Sequence, residues 1–306
     1  MSLVDGLMRA TLPLIPRRVL WTVAQRYVAG DELPDALAVI GRLRDEGFGT
    51  FLDVLGEGVE TEEQARAAAA EYHHALVELP GVDPLTVVSV KPTHLGLALR
   101  AGLCEELLSG LCTAAAAQGR RVRLEMEDAP TVDATLAVFS RLRGRHSNLG
   151  CVLQARLFRT QGDLERLLAE GPLNVRLVKG IYLEPPSIAW TEDADICKSY
   201  LELARRLLDD GAFVGLATHD AALGGRVLQQ LRERGLDRGP AEQRRYEFQL
   251  LLGVRRELAA EWRDAGHHVR IYVPYGRDWH AYSLRRLRRN PQIARHVLRA
   301  MLRGES

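Results

Sequence analysis

Lys91 and Lys179 are two of only three lysines in a chain whose lysines and arginines together number 41, and each closes a strand-like apolar run, LTVVSVK and VRLVK. A compact ammonium kept where arginine is otherwise the rule suits close approach to an anionic group. The ends of neighbouring apolar runs carry further groups of this kind: Glu125, Glu127 and Asp128; Gln154 and Arg156; Arg176 and Tyr182 around Lys179; Thr218, His219 and Asp220; Gln249; and Tyr272. Cationic and neutral polar groups outnumber acids in this set. Gathered at one end of a sheet, they favour an anionic ligand, a carboxylate, a phosphate or both.

The elements that must position these residues follow from periodicity. Eight β-type runs begin at Thr50, Leu85, Arg121, Leu149, Val175, Ala212, Tyr246 and Val269, and helical patterns such as Glu62 to Val77, Ala101 to Ala117, Thr131 to Arg143 and Ala194 to Leu208 lie between them. Strict alternation predicts a parallel sheet, and eight repeats predict an α/β fold of the closed (β/α)8 TIM type, with its chemistry at the carboxyl ends of the strands. Residues 1–48 read as an N-terminal helical extension, with Asp31 and Pro34 opening one helix, and 49–306 as the barrel with C-terminal helices. After the last strand Asp278 is placed to cap a helix whose Tyr282, Arg285, Arg286 and Arg289 fall on one stripe. Such a stripe reads either as a solvated face or as a grip in which two guanidiniums hold a carboxylate while the phenol packs on its apolar body.

Composition sets the bounds. A chain of 306 residues that is 46% hydrophobic and 26% charged is long enough for one large core, and a net charge of +1 gives no nucleic-acid footprint. Cys104, Cys112, Cys151 and Cys197 form no CxxC pair and read as buried thiols of a reducing compartment, with no metal role. No apolar run approaches the roughly 20 residues that span a bilayer. The expectation is a cytoplasmic protein, with peripheral contact at a membrane surface left open.

The series SVKPTHLG, LEMEDAP, LQARLFR, RLVKGIY, ATHD, YEFQLLLG, VRIYVPYG and YSLRRL, with VLGEGVETEEQA before it, resembles the proline dehydrogenase family in order and spacing from about Asp31 to the end. The resemblance implies a distorted barrel carrying FAD, oxidation of L-proline to Δ1-pyrroline-5-carboxylate, and electron transfer to a quinone or another acceptor. It implies a catalytic set of Lys91, Glu125, Arg176 and Tyr182. Lys91, Arg285 and Arg286 would hold the substrate carboxylate, with Leu251, Tyr182, Tyr272 and Tyr282 around the ring, and Gln154, Arg176, Lys179, Thr218 and His219 would hold the cofactor. With no fused second catalytic domain read in the chain, the product would pass to a separate pyrroline-carboxylate dehydrogenase.

Four positions depart from that pattern. Glu125 stands for an aspartate and is expected to keep a pair with Lys91; Ile181 stands for a small residue; Arg156 stands for an aromatic one. Arg289 stands for a glutamate and would face Arg285 with like charge. These departures keep two alternatives in view, a flavoenzyme for a related cyclic amino acid and a flavin-binding homologue with reduced or lost activity. A metal-dependent hydrolase using His94, Glu125, Glu127 and His219 is a third, disfavoured by the positive mouth and the lack of an HxH pair. No GxGxxG turn follows the first strand, so a Rossmann-type site is not expected.

Overall fold

In the computed structural model, residues 20–21, 24–240 and 244–289 are described, with side chains through 284. The strands are β1 (Gly49–Val54), β2 (Val87–Val90), β3 (Val122–Leu124), β4 (Leu149–Gln154), β5 (Asn174–Val178), β6 (Phe213–Ala217), β7 (Tyr246–Leu251) and β8 (Val269–Tyr275). They run parallel in sequence order and β8 pairs with β1, closing the predicted barrel. Every residue of β2 and β4 is buried, as expected for strands covered on both faces, which explains runs too continuous to show alternation.

The helices are α1 (Leu33–Asp45), α2 (Glu62–Glu78), α3 (Ala101–Ala116), α4 (Val132–Arg143), α5 (Thr160–Ala169), α6 (Asp193–Asp209), α7 (Ala221–Glu233), α8 (Arg256–Asp264) and α9 (Trp279–Arg289). At the start of α2, the Thr61 hydroxyl accepts from the Gln64 N–H at 3.3 Å, and Gln64 Oε1 accepts from the Glu60 N–H at 2.7 Å. Those bonds satisfy donors that a bare helix start leaves open. At α1 the N-cap is Glu32 rather than Asp31, with the Asp35 carboxylate accepting the Glu32 N–H at 3.2 Å. Pro34 lies in the first turn, where its missing N–H costs nothing.

Helix α1 packs on β8 and β1, and so covers the seam of the ring. That leaves α9 free to pack elsewhere: buried Trp279 joins Leu20, Ala24, Val28 and Leu55 in a small separate core, against which Trp21, Tyr282 and Leu284 also pack. The Asp278 carbonyl accepts the Tyr282 N–H at 3.1 Å in the first turn of α9. The expected substrate-gripping side chains of Arg285 and Arg286, and that of Arg289, lie outside the described side chains, although α9 carries all three positions.

Candidate active site

Ser89 on β2, Arg176 on β5, Gln249 on β7 and Tyr272 on β8, with Glu125 just past β3, join in one hydrogen-bonded network toward the carboxyl ends of the strands, and beside it Lys91, just past β2, pairs with Asp53 on β1. Lys91 Nζ donates to Asp53 Oδ1 at 2.8 Å. Ser89 Oγ lies 2.9 Å from the Tyr272 hydroxyl and also donates to Glu125. Arg176 forms a salt bridge with Glu125 through one terminal nitrogen and donates from Nε to Gln249 Oε1 at 2.7 Å. Its guanidinium centre lies 4.2 Å from the Phe51 ring centroid and 4.8 Å from that of Tyr272, within cation–π range.

The expected Lys91–Glu125 pair is therefore replaced by Lys91–Asp53 and Arg176–Glu125. Adjacent-strand register explains the exchange: Asp53 pairs with Ser89, two residues before Lys91, so the flexible lysine stem reaches diagonally back to the neighbouring carboxylate. Asp53 was missed in the sequence, although an acid inside the otherwise apolar TFLDVL was the available signal. Burial pushes the Asp53 carboxyl up against the lowering pull of Lys91. Burial presses the Lys91 ammonium down, but Asp53, Glu125 and Glu127 together outweigh it and the net direction is upward. Both groups are thus held in a tightly coupled pair, with Glu125 close enough to add to the field at each.

Two polar atoms among these groups are buried without a hydrogen-bond partner, Asp53 Oδ2 and the second terminal nitrogen of Arg176. Buried polar groups are normally satisfied, so an unpartnered donor at the mouth of a barrel suits a ligand acceptor. Below it, Gln249 Nε2 donates to Glu247 at 2.7 Å and Glu247 pairs with Arg270 at 2.8 Å, so the orientation of Arg176 is braced from inside the barrel. Sequence places Gln249 among the polar groups at the strand ends without this bracing contact, and gives Glu247 no role. Glu247 reads there as just another residue of an apolar strand.

The residues expected to hold the cofactor lie on the β4–β5–β6 arc. Gln154 is buried and donates to the Glu127 carbonyl at 2.8 Å. Lys179 bonds Asp193 and Asp220, each at 2.9 Å. Although burial opposes its charge, the two acids raise the lysine's pKa. The Thr218 hydroxyl accepts from the Asp220 N–H at 3.1 Å, and His219 Nε2 accepts from the Leu251 N–H at 2.9 Å. These positions and the unpartnered Arg176 nitrogen put neutral polar and cationic groups at the ends of three neighbouring strands, a donor set of the kind an anionic group could use. Among the described residues the one gathering of metal-type ligands is Asp193, Cys197 and Asp220, and the Lys179 ammonium already bonds both acids there.

His94, Glu127 and His219 do not assemble into a metal centre: His94 lies against Tyr72, Glu127 accepts from Thr93, and His219 accepts from Leu251. Tyr182 stands half-buried in the loop between β5 and α6, and Tyr282 packs on the small core at α9. Ile181 is 54% exposed, so in this arrangement its extra volume is directed largely to solvent.

A closed parallel barrel with arginine, lysine and paired acids toward the carboxyl ends of its strands has the architecture and site placement of a barrel enzyme. The family model for proline dehydrogenase matches residues 36–299. Over 310 residues the chain is 34% identical to a proline dehydrogenase of Deinococcus radiodurans, spanning 97% of this chain and 95% of that one. It is 32% identical to proline dehydrogenase 1 of Bacillus subtilis over 92% of this chain and 91% of that one. The chain belongs to the proline dehydrogenase family. Among solved structures, proline utilization A from Bdellovibrio bacteriovorus shares the fold with a TM-score of 0.79 at 24% identity, over 87% of this chain and 32% of that longer one.

Proposed function

We propose that the protein oxidises L-proline to Δ1-pyrroline-5-carboxylate with non-covalently bound FAD and delivers the electrons to a quinone or another acceptor. The observation that carries this reading is the buried, unpartnered terminal nitrogen of Arg176 at the centre of the mouth network. Bound there, FAD supplies the hydride acceptor, and the protein supplies position and charge. Arg176, its plane set by Gln249 and Glu125, would hold the flavin ring and supply a fixed cation to favour its anionic reduced form. Lys91 would offer its remaining ammonium donors to the substrate carboxylate, and the resemblance assigns Arg285 and Arg286, whose side chains lie outside those described, to the same grip. Tyr182, Tyr272, Tyr282 and Leu251 would wall the substrate ring, and holding it in one pose would supply orientation. Hydride departs when the ring amine is neutral, so the site must hold the substrate in the form that has lost this proton.

The family membership supports this reading. No described helix is long and apolar enough to cross a membrane. We propose a cytoplasmic enzyme, with peripheral contact at the inner membrane as an option where quinone is the acceptor, and read 49–306 as its catalytic barrel and 1–48 as an extension. The deciding experiment is a visible spectrum of the purified protein followed by anaerobic addition of L-proline. Flavin bands that bleach support the proposal; bands that persist show a flavin protein without this activity, and a spectrum without flavin removes FAD from the account.

A further inference from the structure

The loop that joins β5 to α6 carries Tyr182, and residues 183, 185–188 and 190 on it are exposed. A loop with so little burial takes its shape from a few specific bonds. Three of these come from Arg156. Its N–H donates to the Lys179 carbonyl at 2.9 Å, its carbonyl accepts the Trp190 N–H at 2.9 Å, and its guanidinium donates to the Tyr182 carbonyl at 2.6 Å. The two residues after it extend the fastening: Leu157 bridges to Ala189, the Phe158 N–H donates to the Ile188 carbonyl at 3.0 Å, and the rings of Phe158 and Trp190 meet edge to face at 4.7 Å.

The local backbone is shaped for this contact. Gly180 has φ +102, and a Cβ built on it would lie 3.1 Å from the Arg156 Cβ and 3.2 Å from Gln154 Oε1. A side chain there would be both strained and crowded, so the turn into the loop closes against Arg156 only because position 180 is glycine. Arg156 Nε is itself buried without a partner, which leaves the bond to Tyr182 as the guanidinium's anchor toward the site.

We propose that Arg156 is a positioning residue: it fixes the Tyr182 carbonyl, and with it residues 181–190, against the barrel mouth, and so sets how tightly substrate is held. This rests on the proline-oxidising reading for its kinetic consequence but not for the loop contact itself. A charge-assisted bond to a carbonyl, once lost, changes an equilibrium about tenfold or more. In the flavin-loaded protein, Arg156→Met should therefore raise KM for L-proline about tenfold while kcat stays within about twofold. Amide hydrogen exchange across 181–190 should quicken, with exchange in β2 and β7 unchanged. Arg156→Lys, which keeps a donor on a long stem, should recover part of both effects.

Unchanged exchange and unchanged KM in the methionine variant overturn the proposal. Faster exchange with unchanged KM shows a fastened loop that does not set substrate binding, and overturns it too. A raised KM with unchanged exchange makes Arg156 a direct substrate contact instead. If the parent protein fails to oxidise proline, the functional reading is what fails, and the exchange comparison still decides whether Arg156 holds the loop.

Discussion

An arginine carries five N–H donors in a rigid plane, and Arg176 spends its Nε and one terminal nitrogen on Gln249 and Glu125 while burying the other terminal nitrogen unpaired. Holding a guanidinium in one plane from two sides is what turns a charge into an oriented donor. Arg176→Met should slow anaerobic flavin reduction by proline by about 100-fold or more, the usual scale for losing a donor aimed at developing charge. Stopped-flow traces matching the parent would remove Arg176 from the reaction. Because the methionine leaves Glu125 short of a buried partner, Arg176→Lys serves as the companion: it keeps the charge, loses the fork and should still be slow. His94 gives a second prediction at this scale. Its ring is packed so closely on Gly56 that a Cβ there would lie 2.2 Å from Nε2, and burial, with help from Lys91, lowers its pKa to about 4. The neutral ring in the folded state and the protonatable ring in the unfolded one mean that stability is full above about pH 6.5 and falls as pH drops toward 4. Between pH 7 and 4.5 this residue should cost about 2 kcal/mol, and His94→Gln should flatten that part of the profile in denaturant titrations. Identical slopes in parent and variant would show that the ring is protonated without cost in the fold.

The strands and the helix-to-strand alternation are legible because each element is covered over enough length for its pattern to register, as in the continuous runs of β4 and β7. What pairs with what inside the ring is not legible, because it depends on register between strands that are distant in sequence. Lys91, Arg176 and Tyr272 stand out as polar groups at strand ends, whereas the Lys91–Asp53 and Gln249–Arg176 contacts exist only once β1 lies beside β2 and the interior of the barrel is closed. Gly215 shows the same dependence on closure. In sequence it is a weakness in a strand; in the barrel it makes room for Gln249, since a Cβ on it would come within 2.2 Å of Gln249 Nε2. Gly215→Ala should therefore push Gln249 off Arg176 without blocking strand pairing, because the obstructing atom belongs to a movable side chain. Flavin reduction by proline should fall about tenfold, the scale of one charge-assisted hydrogen bond, while flavin content stays near that of the parent. A variant that reduces at the parental rate would show that Gln249 does not brace Arg176.

At the scale of the whole molecule, the barrel buries a column of charge, from Asp53 and Lys91 through Glu125 and Arg176 to Glu247 and Arg270. Buried ion pairs of this kind add little net stability, because desolvation offsets much of their attraction. Arg123 makes the cost visible: burial, with Arg176 nearby, lowers its pKa to about 10, and its Nε has no partner. A molecule that keeps such groups aligned beneath an open mouth is expected to gain stability when an anionic cofactor fills that mouth. Binding to the folded state alone contributes about 2.7 kcal/mol when free ligand is 100 times its Kd, which for a chain of this length is a Tm increase of roughly 4 °C. If, as proposed, Lys179 and its neighbours hold the cofactor phosphates, the melting temperature of flavin-stripped protein should rise with added FAD and rise much less with riboflavin, which lacks them. Lys179→Met should close the gap between the two ligands by weakening FAD alone. An equal response to FAD and riboflavin in the parent would mean that the β4–β5–β6 arc does not hold phosphate, and the assignment of Lys179 and Thr218 to the cofactor would have to be withdrawn.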